Sequence, residues 1–277
     1  MAVVVVTDAA SRLPADLLEK WAIRVVPLHI LLDGRDLRDG VDDIPDDIYR
    51  LHATTAAATP AELADAYQQA LADSGGGGVV AVHISSALSG TYGVAERTAA
   101  DLDPNVRVID SRSAAMGAGF VALAAARAAA AGGDLDAVAG AASAAVPRSH
   151  AFMVVHRLDN LRRSGRIGGA KAWLGTALAL KPLLRIDDGK LVLAQRVRTV
   201  SNATAAMIDR VCGVVGDGPA ALAVHHVANP DGADEVAAAL ARRLPACEPA
   251  IVTPLGPVLA LHVGAGAVAV CLELPET

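Results

Sequence analysis

Three predicted strands are followed by hydroxyl or carboxyl side chains that could do chemistry: Thr7-Asp8, Ser85-Ser86 and Asp110-Ser111. The carboxyl ends of parallel strands meet at one edge of a sheet, where loop amides and helix N-termini also converge. Ser86 could also act as a nucleophile with His262 as its base. The orienting carboxylate of such a triad would be Asp8 or Asp110. The pattern therefore indicates either a site for an acidic or polar ligand group or an acyl-transfer site.

The sequence around Ser86 favours anion binding over acyl transfer. Ser86 does not lie in a G-x-S-x-G elbow, and the chain continues through Ala87-Leu88-Ser89-Gly90-Thr91 into a predicted helix. Ser89 is predicted to cap that helix, which leaves Ser86 and the free backbone N–H groups to face an anion. A serine-type esterase or acyltransferase that uses Ser86 and His262 remains the alternative.

Cofactor and metal sites are not indicated by any motif. The sequence has no Walker-type phosphate loop, and Gly117-Ala118-Gly119 with Ala122 matches a dinucleotide fingerprint only loosely. Six residues separate these glycines from the preceding strand, so we expect them to let a helix pack closely on the sheet. The eight histidines show no metal-ligand spacing, and the three cysteines are far apart. We therefore expect neither a cofactor nor a metal.

A basic segment follows the middle of the chain, with five cationic residues at Arg157, Arg162, Arg163, Arg166 and Lys171. A solvated helix face is the simplest interpretation of such a run. Arginine also suits bidentate contacts to carboxylates and phosphates, so an anion-contacting or partner-docking edge is the other interpretation.

Short β-branched runs alternate with Ala-rich helical stretches in the first half, which predicts a mainly parallel sheet flanked by helices. The run from Val25 to Leu32 is predicted as a single strand. In the second half, Asp187-Asp188-Gly189 between two apolar runs predicts a hairpin, so that sheet is mixed. We therefore predict an α/β fold of two domains, residues 1–150 and 151–277, with the ligand between them.

The composition excludes several classes of partner. The chain has 277 residues and a formal charge of −6, which argues against nucleic acid. Hydrophobic residues make up 53% of it but aromatic residues only 3%, so the core is built from small aliphatic side chains that leave room for a slender apolar guest. The N-terminus has no signal-peptide pattern, and the apolar stretch from Ala114 to Gly133 is interrupted by glycine and arginine. We expect a cytoplasmic protein without stable membrane insertion.

Six segments carry motifs that occur together, and in this order, in one known family. They are Val6–Pro14 (V-T-D-A-A-S-R-L-P), Val25–Leu28 with Asp39-Gly40, His83–Tyr92 (H-I-S-S-A-L-S-G-T-Y), Val108–Ser111 with Gly117-Ala118-Gly119, Leu158–Leu184, and Gly256–Ala267. On these motifs the chain resembles the DegV family of bacterial fatty-acid-binding proteins, from residue 3 to about residue 273.

The resemblance implies a long-chain fatty acid lying in an apolar tunnel of a protein that has no catalytic residue of its own. Carried over by motif, the carboxylate contacts are Thr55, Ser86 and His262, and possible additional contacts are Ser85, Gly90 and Arg166. The family likeness also implies a partner, a separate ATP-binding fatty acid kinase subunit to which the bound carboxylate is presented.

The sequence departs from the family pattern at two places that bear on these roles. The T-S-Q-P segment of the family reads Thr55-Ala56-Ala57-Ala58 here, and the family's basic K-x-R-x-x-K-K region is reduced to Arg196-Val197-Arg198. The missing lysines leave a third interpretation, which is a pure fatty-acid carrier without a kinase partner.

Overall fold

The structure is a computed structural model that describes residues 2–167 and 181–276. Lys171 of the predicted basic segment lies outside these residues. In the described ranges the strands are β1 (Val4–Asp8), β2 (Arg24–Val26), β3 (His29–Leu32), β4 (Arg35–Arg38), β5 (Ala53–Ala56), β6 (Val79–His83), β7 (Val106–Asp110), β8 (Ser149–Val154), β9 (Lys181–Asp187), β10 (Lys190–Val197), β11 (Ala221–His226), β12 (Ile251–Pro254) and β13 (Val268–Glu273). The α-helices there are α1 (Ala15–Lys20), α2 (Pro60–Ser74), α3 (Thr91–Leu102), α4 (Met116–Ala130), α5 (Leu135–Ala145), α6 (Asp159–Arg163), α7 (Val200–Val215), α8 (Pro230–Arg243) and α9 (Pro257–Val263).

The strands form three sheets. Sheet A has the order β2-β1-β6-β7 and is parallel throughout. Sheet B is a small antiparallel sheet with the order β4-β3-β5. Sheet C has the order β10-β9-β8-β13-β11-β12 and is antiparallel except for the pairing of β11 with β12. The predicted α/β class, with a parallel sheet followed by a mixed one, is confirmed.

Sheet A is covered by helices on both faces, which explains its almost continuous valine runs. All five residues of β6 are buried. Val80 and Val82 pack into the core that contains α4, whereas Val79 and Ala81 pack into the core that contains α2. A parallel strand buried on both faces has no reason to alternate apolar with polar residues, and β6 does not.

Sheet C shows the same division between two faces. Ala151 and Met153 of β8 face α4, whereas Phe152 and Val154 between them face the core built on α7 and α8. The alternation continues on β13, where Ala269 and Cys271 share the face of Ala151 and Met153. The side of sheet C that meets α4 is therefore made largely of small side chains.

Helix α4 lies between sheets A and C and contacts strands of both. It is buried from Met116 to Ala126, which explains why this stretch is apolar on every side. A Cβ on Gly119 would lie 2.8 Å from the carbonyl oxygen of Ser11, so this glycine lets the helix approach closely, as the sequence predicts. In the described ranges no helix is long and apolar enough to cross a membrane.

The predicted single strand from Val25 to Leu32 is wrong. The chain forms β2 in sheet A and then β3 in sheet B, because Pro27 lacks the N–H group that a continuing strand would need. Strands β4, β5 and β12 were also not predicted, and β5 carries Thr55. The predicted hairpin at Asp187-Asp188-Gly189 is confirmed: it joins β9 to β10, with positive φ at Asp188 and Gly189.

The two-domain division at residue 150 stays a prediction. One hydrophobic core contains residues of both halves, from Val5 of β1 to Cys271 of β13. Helix α9 belongs to the second half by sequence, but it contacts β5 and the short 3-10 helix Ile48–Arg50 of the first half.

Candidate functional site

A largely apolar cavity of about 960 Å³, its opening included, lies where sheet A, sheet B, sheet C and α9 meet. We call it the central cavity. Its wall contains residues from both halves of the chain, among them Ile84, Leu88, Ala115, Met153, Ile186 and Leu259. Small-molecule sites in proteins are mostly apolar with a few placed polar groups. The wall of the central cavity has this character.

Polar groups of the cavity wall come from three separate segments. Thr55 is on β5, His262 is in the last turn of α9, and Arg166 follows α6. Ser89 and Gly90 add the loop that leads into α3. Two of the three carboxylate contacts predicted from the sequence, and two of the three additional ones, therefore line the same cavity.

Thr55 and His262 are joined directly, although they are 207 positions apart in the chain. The distance between Thr55 Oγ1 and His262 Nε2 is 2.9 Å. Pairing of β5 with β3 places Thr55 opposite Ile30, whose side chain is fully buried, and so fixes the position of the hydroxyl. This hydrogen bond links sheet B of the first half with α9 of the second.

The other ring nitrogen of His262, Nδ1, is buried and has no hydrogen-bond partner among residues 2–167 and 181–276. Burial, and then the nearby Arg166, lower the pKa of His262 to about 4, so the ring is neutral at pH 7. If Thr55 donates to Nε2, the ring hydrogen is on Nδ1, which is then a free donor. Buried polar atoms are nearly always paired, and an unpaired one beside a cavity points to a ligand.

Arg166 is held by two backbone carbonyl groups. Its Nε donates to Leu88 O at 3.2 Å and its Nη1 donates to Ser164 O at 2.6 Å. The first bond ties the basic segment to the S-S-A-L-S-G loop. A half-buried guanidinium fixed in this way brings positive charge to a mostly apolar wall.

The loop before α3 is arranged differently from the prediction that Ser89 is the N-cap. The N-cap residue is Gly90, and Ser89 one position earlier accepts a hydrogen bond from the backbone N–H of Thr91 at 3.2 Å. Ser89 was therefore missed as a residue of the cavity wall. The motif did contain the signal, since three serines occur within five positions of one loop.

Ser85 and Ser86 do not line the central cavity in the described structure. Ser86 is exposed, and its hydroxyl donates to Asp110 Oδ2 at 2.6 Å. Ser85 is buried, and its hydroxyl donates to the carbonyl oxygen of Gly189 at 2.8 Å, which ties the β9–β10 hairpin to the first half. The structure thus brings Thr55, Arg166 and His262 together without Ser86.

The same contacts separate the residues of the alternative triad. A serine nucleophile needs a base within hydrogen-bond reach, but Ser86 bonds to a carboxyl group and His262 bonds to Thr55. Asp8, the other proposed orienting carboxylate, accepts from Ile84 N at 2.9 Å and pairs with His83 Nδ1 at 3.0 Å. The described residues therefore contain no Ser86–His262 pair.

The Asp8 contacts belong to a fully buried network that the sequence did not reveal. His83 Nε2 lies 2.7 Å from the hydroxyl of Tyr67, so Tyr67, His83 and Asp8 form one chain of hydrogen bonds. Burial, and then the charge of Asp8, raise the pKa of Tyr67. The hydroxyl therefore keeps its proton.

Neither the cysteines nor the acidic groups suggest metal or thiol chemistry. No group of three or more His, Cys, Asp or Glu residues in the described ranges could hold a metal ion. Cys271 lines the central cavity, but burial raises the pKa of its thiol to about 12. A neutral thiol of this kind acts as a small apolar side chain.

Comparison with known proteins identifies relatives that match almost the whole chain. The family model described as "Uncharacterised protein, DegV family" matches residues 2–274. A DegV domain-containing protein of Mycobacterium tuberculosis is 78% identical over 274 residues, which covers 99% of this chain and 98% of the relative.

Two solved structures cover almost the whole chain. One describes fatty acid binding by a DegV family protein from Thermus thermophilus and has a TM-score of 0.92 at 30% identity, covering 99% of this chain and all of the other. The other is DegV from Bacillus subtilis, described as a fatty acid binding protein, with a TM-score of 0.90 at 26% identity and the same coverage. With the family model and the close relative, these matches confirm the resemblance seen in the motifs: the chain belongs to the DegV family.

Proposed function

We propose that the protein binds one long-chain fatty acid in the central cavity, which lies where the two predicted domains meet. The observation that carries the proposal is Nδ1 of His262, which is buried in the wall of a mostly apolar cavity and has no hydrogen-bond partner in the part of the chain that the structure describes. Fatty acid binding by the Thermus thermophilus and Bacillus subtilis relatives supports it.

Binding of the acyl chain needs only apolar surface. Each buried CH₂ group contributes about 0.8 kcal/mol, so a long chain offers on the order of 10 kcal/mol before the costs of ordering it. The walls from sheet C supply small and flexible side chains such as Ala151, Met153 and Ala269. No catalytic group and no cofactor are required of this chain.

The carboxylate needs polar partners, because an unpaired charge in an apolar cavity is costly. In the proposal Nδ1 of His262 donates to it, Thr55 fixes the imidazole ring, and Arg166 contributes positive charge. Ser86 is the third contact predicted from the sequence, with Ser85 as a possible further one. The geometry favours Ser89 and the adjacent Gly90 in their place, since both line the cavity.

The second part of the proposal is presentation of this carboxylate to a separate ATP-binding kinase subunit, as the family likeness implies. Exposed cationic side chains in the same sequence segment as Arg166 support a docking surface for such a partner. They are Arg157, Arg162 and Arg163, of which Arg157 is 83% exposed. Because the partner consumes ATP, we assign the reaction to the cytoplasm.

Native mass spectrometry of freshly purified protein tests the first part. The expected mass exceeds that of the chain by one fatty acid, which denaturation then releases for identification. Protein that carries no lipid and takes up none of a series of added fatty acids would overturn the proposal.

A pure carrier without a kinase partner is the second candidate. It is favoured by Arg196-Val197-Arg198, which lacks the lysines that follow in the family pattern. Incubation of the loaded protein with a fatty acid kinase subunit and labelled ATP distinguishes the two candidates. Label transfer to the bound acid supports presentation, and its absence with a kinase that is active on another DegV protein supports the carrier.

A further inference from the structure

A charged pair, with a buried carboxylate and a partly exposed guanidinium, lies at the beginning of α9 and takes no part in the proposed binding site. Asp39, from the loop after β4, is only 4% exposed. Its Oδ1 accepts a hydrogen bond from Nη1 of Arg12 at 3.4 Å. The pair thus joins the end of the short 3-10 helix Ala9–Ser11 to the loop that follows β4.

The guanidinium of Arg12 packs against Gly256, the N-cap residue of α9. Gly256 has φ of +82°, and a Cβ there would overlap Nη1 and Cζ of Arg12. A side chain at position 256 is therefore excluded twice, by the backbone conformation and by the arginine. Through this contact Gly256 joins Arg12 and Asp39 in one cluster. We call these three residues the α9 clamp.

The α9 clamp has an electrostatic cost, which argues against a purely stabilising role. Burial raises the pKa of Asp39, and the Arg12 charge and the backbone N–H of Val258 only partly oppose this rise. Arg12 Nε and Asp39 Oδ2 are buried without hydrogen-bond partners among the residues described. Buried ion pairs with incomplete hydrogen bonding are often replaceable by apolar residues without loss of stability.

The position of the clamp relates it directly to His262. Val258 stands next to the clamp in α9, and His262 follows four residues later, so the two lie one above the other on the same helix face. Both side chains line the central cavity. A rotation or shift of α9 at its beginning would therefore move the imidazole ring relative to Thr55, with which it makes a 2.9 Å hydrogen bond.

We propose that Arg12 and Asp39 are positioning residues that hold α9 in the register at which His262 recognises a carboxylate head group. The inference rests on the proposed function. It assigns the clamp to head-group selection and leaves binding of the acyl chain to the apolar walls. The clamp residues themselves do not touch the ligand.

The test compares affinities for a fatty acid and for the alcohol of the same chain length, which differs only in its head group. Asp39→Asn removes the charge and keeps the shape of the side chain. Arg12→Gln removes the planar guanidinium group that packs against Gly256. Each variant is expected to bind the acid about tenfold more weakly, the equivalent of one displaced hydrogen bond to a charged group, with less than about twofold change for the alcohol. Asp42→Asn is the matched control, since Asp42 forms an exposed pair with Arg38 in the same loop.

A second readout reports on the ring itself. Nitrogen NMR of the histidine side chains should show one dominant tautomer for His262 in the wild type and in Asp42→Asn, and averaged signals in Asp39→Asn. If Asp39→Asn does not fold, Arg12→Gln gives the same comparison.

Loss of acid preference in the clamp variants, with the control unchanged, supports the inference. An acid-to-alcohol ratio equal to that of the wild type overturns it, as does an equal loss for both ligands, which a merely structural role would give. A wild-type protein that itself shows no preference for the acid overturns the proposed carboxylate site, and the inference with it.

Discussion

His83 lies at the end of β6 and His262 lies in α9. The two histidines differ in how many of their ring nitrogens have hydrogen-bond partners, and this difference separates a structural residue from a candidate binding residue. His83 is fully buried and uses both ring nitrogens, one with Asp8 and one with Tyr67. His262 uses only Nε2, with Thr55, and its Nδ1 is buried without a partner in the described ranges. A satisfied histidine fixes the fold, whereas an unsatisfied one beside a cavity is available to a ligand.

The comparison also shows why residues of similar family motifs can have different roles. Asp8 and His83 are in family motifs, as His262 is, and a motif alone does not say which polar side chain is exposed to the ligand. The hydrogen-bond partners decide this. Asp8 supports the beginning of the S-S-A-L-S-G loop through Ile84 N, so it acts on the cavity wall only through the backbone.

The largest effect is expected from Asp8→Ala. The substitution leaves His83 and the backbone N–H groups of Ala10 and Ile84 without their acceptor in a fully buried place. We expect the free energy of unfolding to fall by about 3–5 kcal/mol, measured by urea denaturation. Tyr67→Phe, which removes one hydroxyl, is the control and should cost about 1 kcal/mol. Equal stability of Asp8→Ala and the wild type would show that the network does not hold the fold.

His262→Ala should have the opposite effect to Asp8→Ala, with little change in stability and a clear loss of fatty acid affinity. Because the ring is poorly satisfied in the cavity, the free energy of unfolding should change by less than about 1 kcal/mol, while fatty acid affinity falls about thirtyfold, or about 2 kcal/mol. Displacement of a fluorescent fatty acid measures the affinity. Unchanged affinity in a folded variant contradicts the assignment of His262 to the carboxylate.

The pH dependence of stability gives a smaller effect that also depends on His262. Its pKa in the folded state, about 4, is below the ordinary 6.5 because of burial and the Arg166 charge. As pH falls below about 6.5, His262 binds a proton in the unfolded chain before it does so in the folded protein. The part of the free energy of unfolding that depends on neutral His262 is therefore complete above pH 6.5 and is lost towards pH 4.

For the ligand-free protein, we expect His262 to account for on the order of 2 kcal/mol of the stability lost over that range. His262→Gln should therefore flatten the curve of unfolding free energy against pH. A parallel curve for variant and wild type would mean that His262 is not held neutral by its surroundings.

The smallest effects are expected at the two serines of the loop. Ser89 lines the cavity and Ser86 bonds to Asp110 at the surface, so Ser89→Ala should weaken fatty acid binding a few-fold, by about 1 kcal/mol, and Ser86→Ala should not. The reverse order in the same displacement assay would support the contact predicted from the family motif.

Much of the fold could be predicted from local patterns. Valine runs marked the buried parallel strands, and the Asp-Asp-Gly turn marked the hairpin of sheet C. Sheet B could not be found in this way, because its strands are four residues long and partly exposed, and because Pro27 divides an apolar run between two sheets. Strand β5 therefore appeared only as a polar and alanine-rich segment.

The family motifs predicted the candidate site residues, but not the geometry around them. Thr55, Arg166 and His262 line one cavity, whereas the partners of Ser85 and Ser86 come from the β9–β10 hairpin and β7. Contacts between positions so far apart in the chain are set by sheet packing and leave no local pattern. For the same reason the Asp8–His83–Tyr67 network could not be inferred from spacing.

The central claim is that His262, whose Nδ1 has no partner among the described residues, receives the carboxylate, and that His83, which uses both ring nitrogens, does not. The most direct measurement is the NMR spectrum of protein loaded with a fatty acid that is ¹³C-labelled at its carboxyl carbon. We predict one bound carboxyl signal whose shift changes in His262→Gln and Thr55→Val and stays the same in Tyr67→Phe. A signal that is unaffected by the first two substitutions would contradict the account.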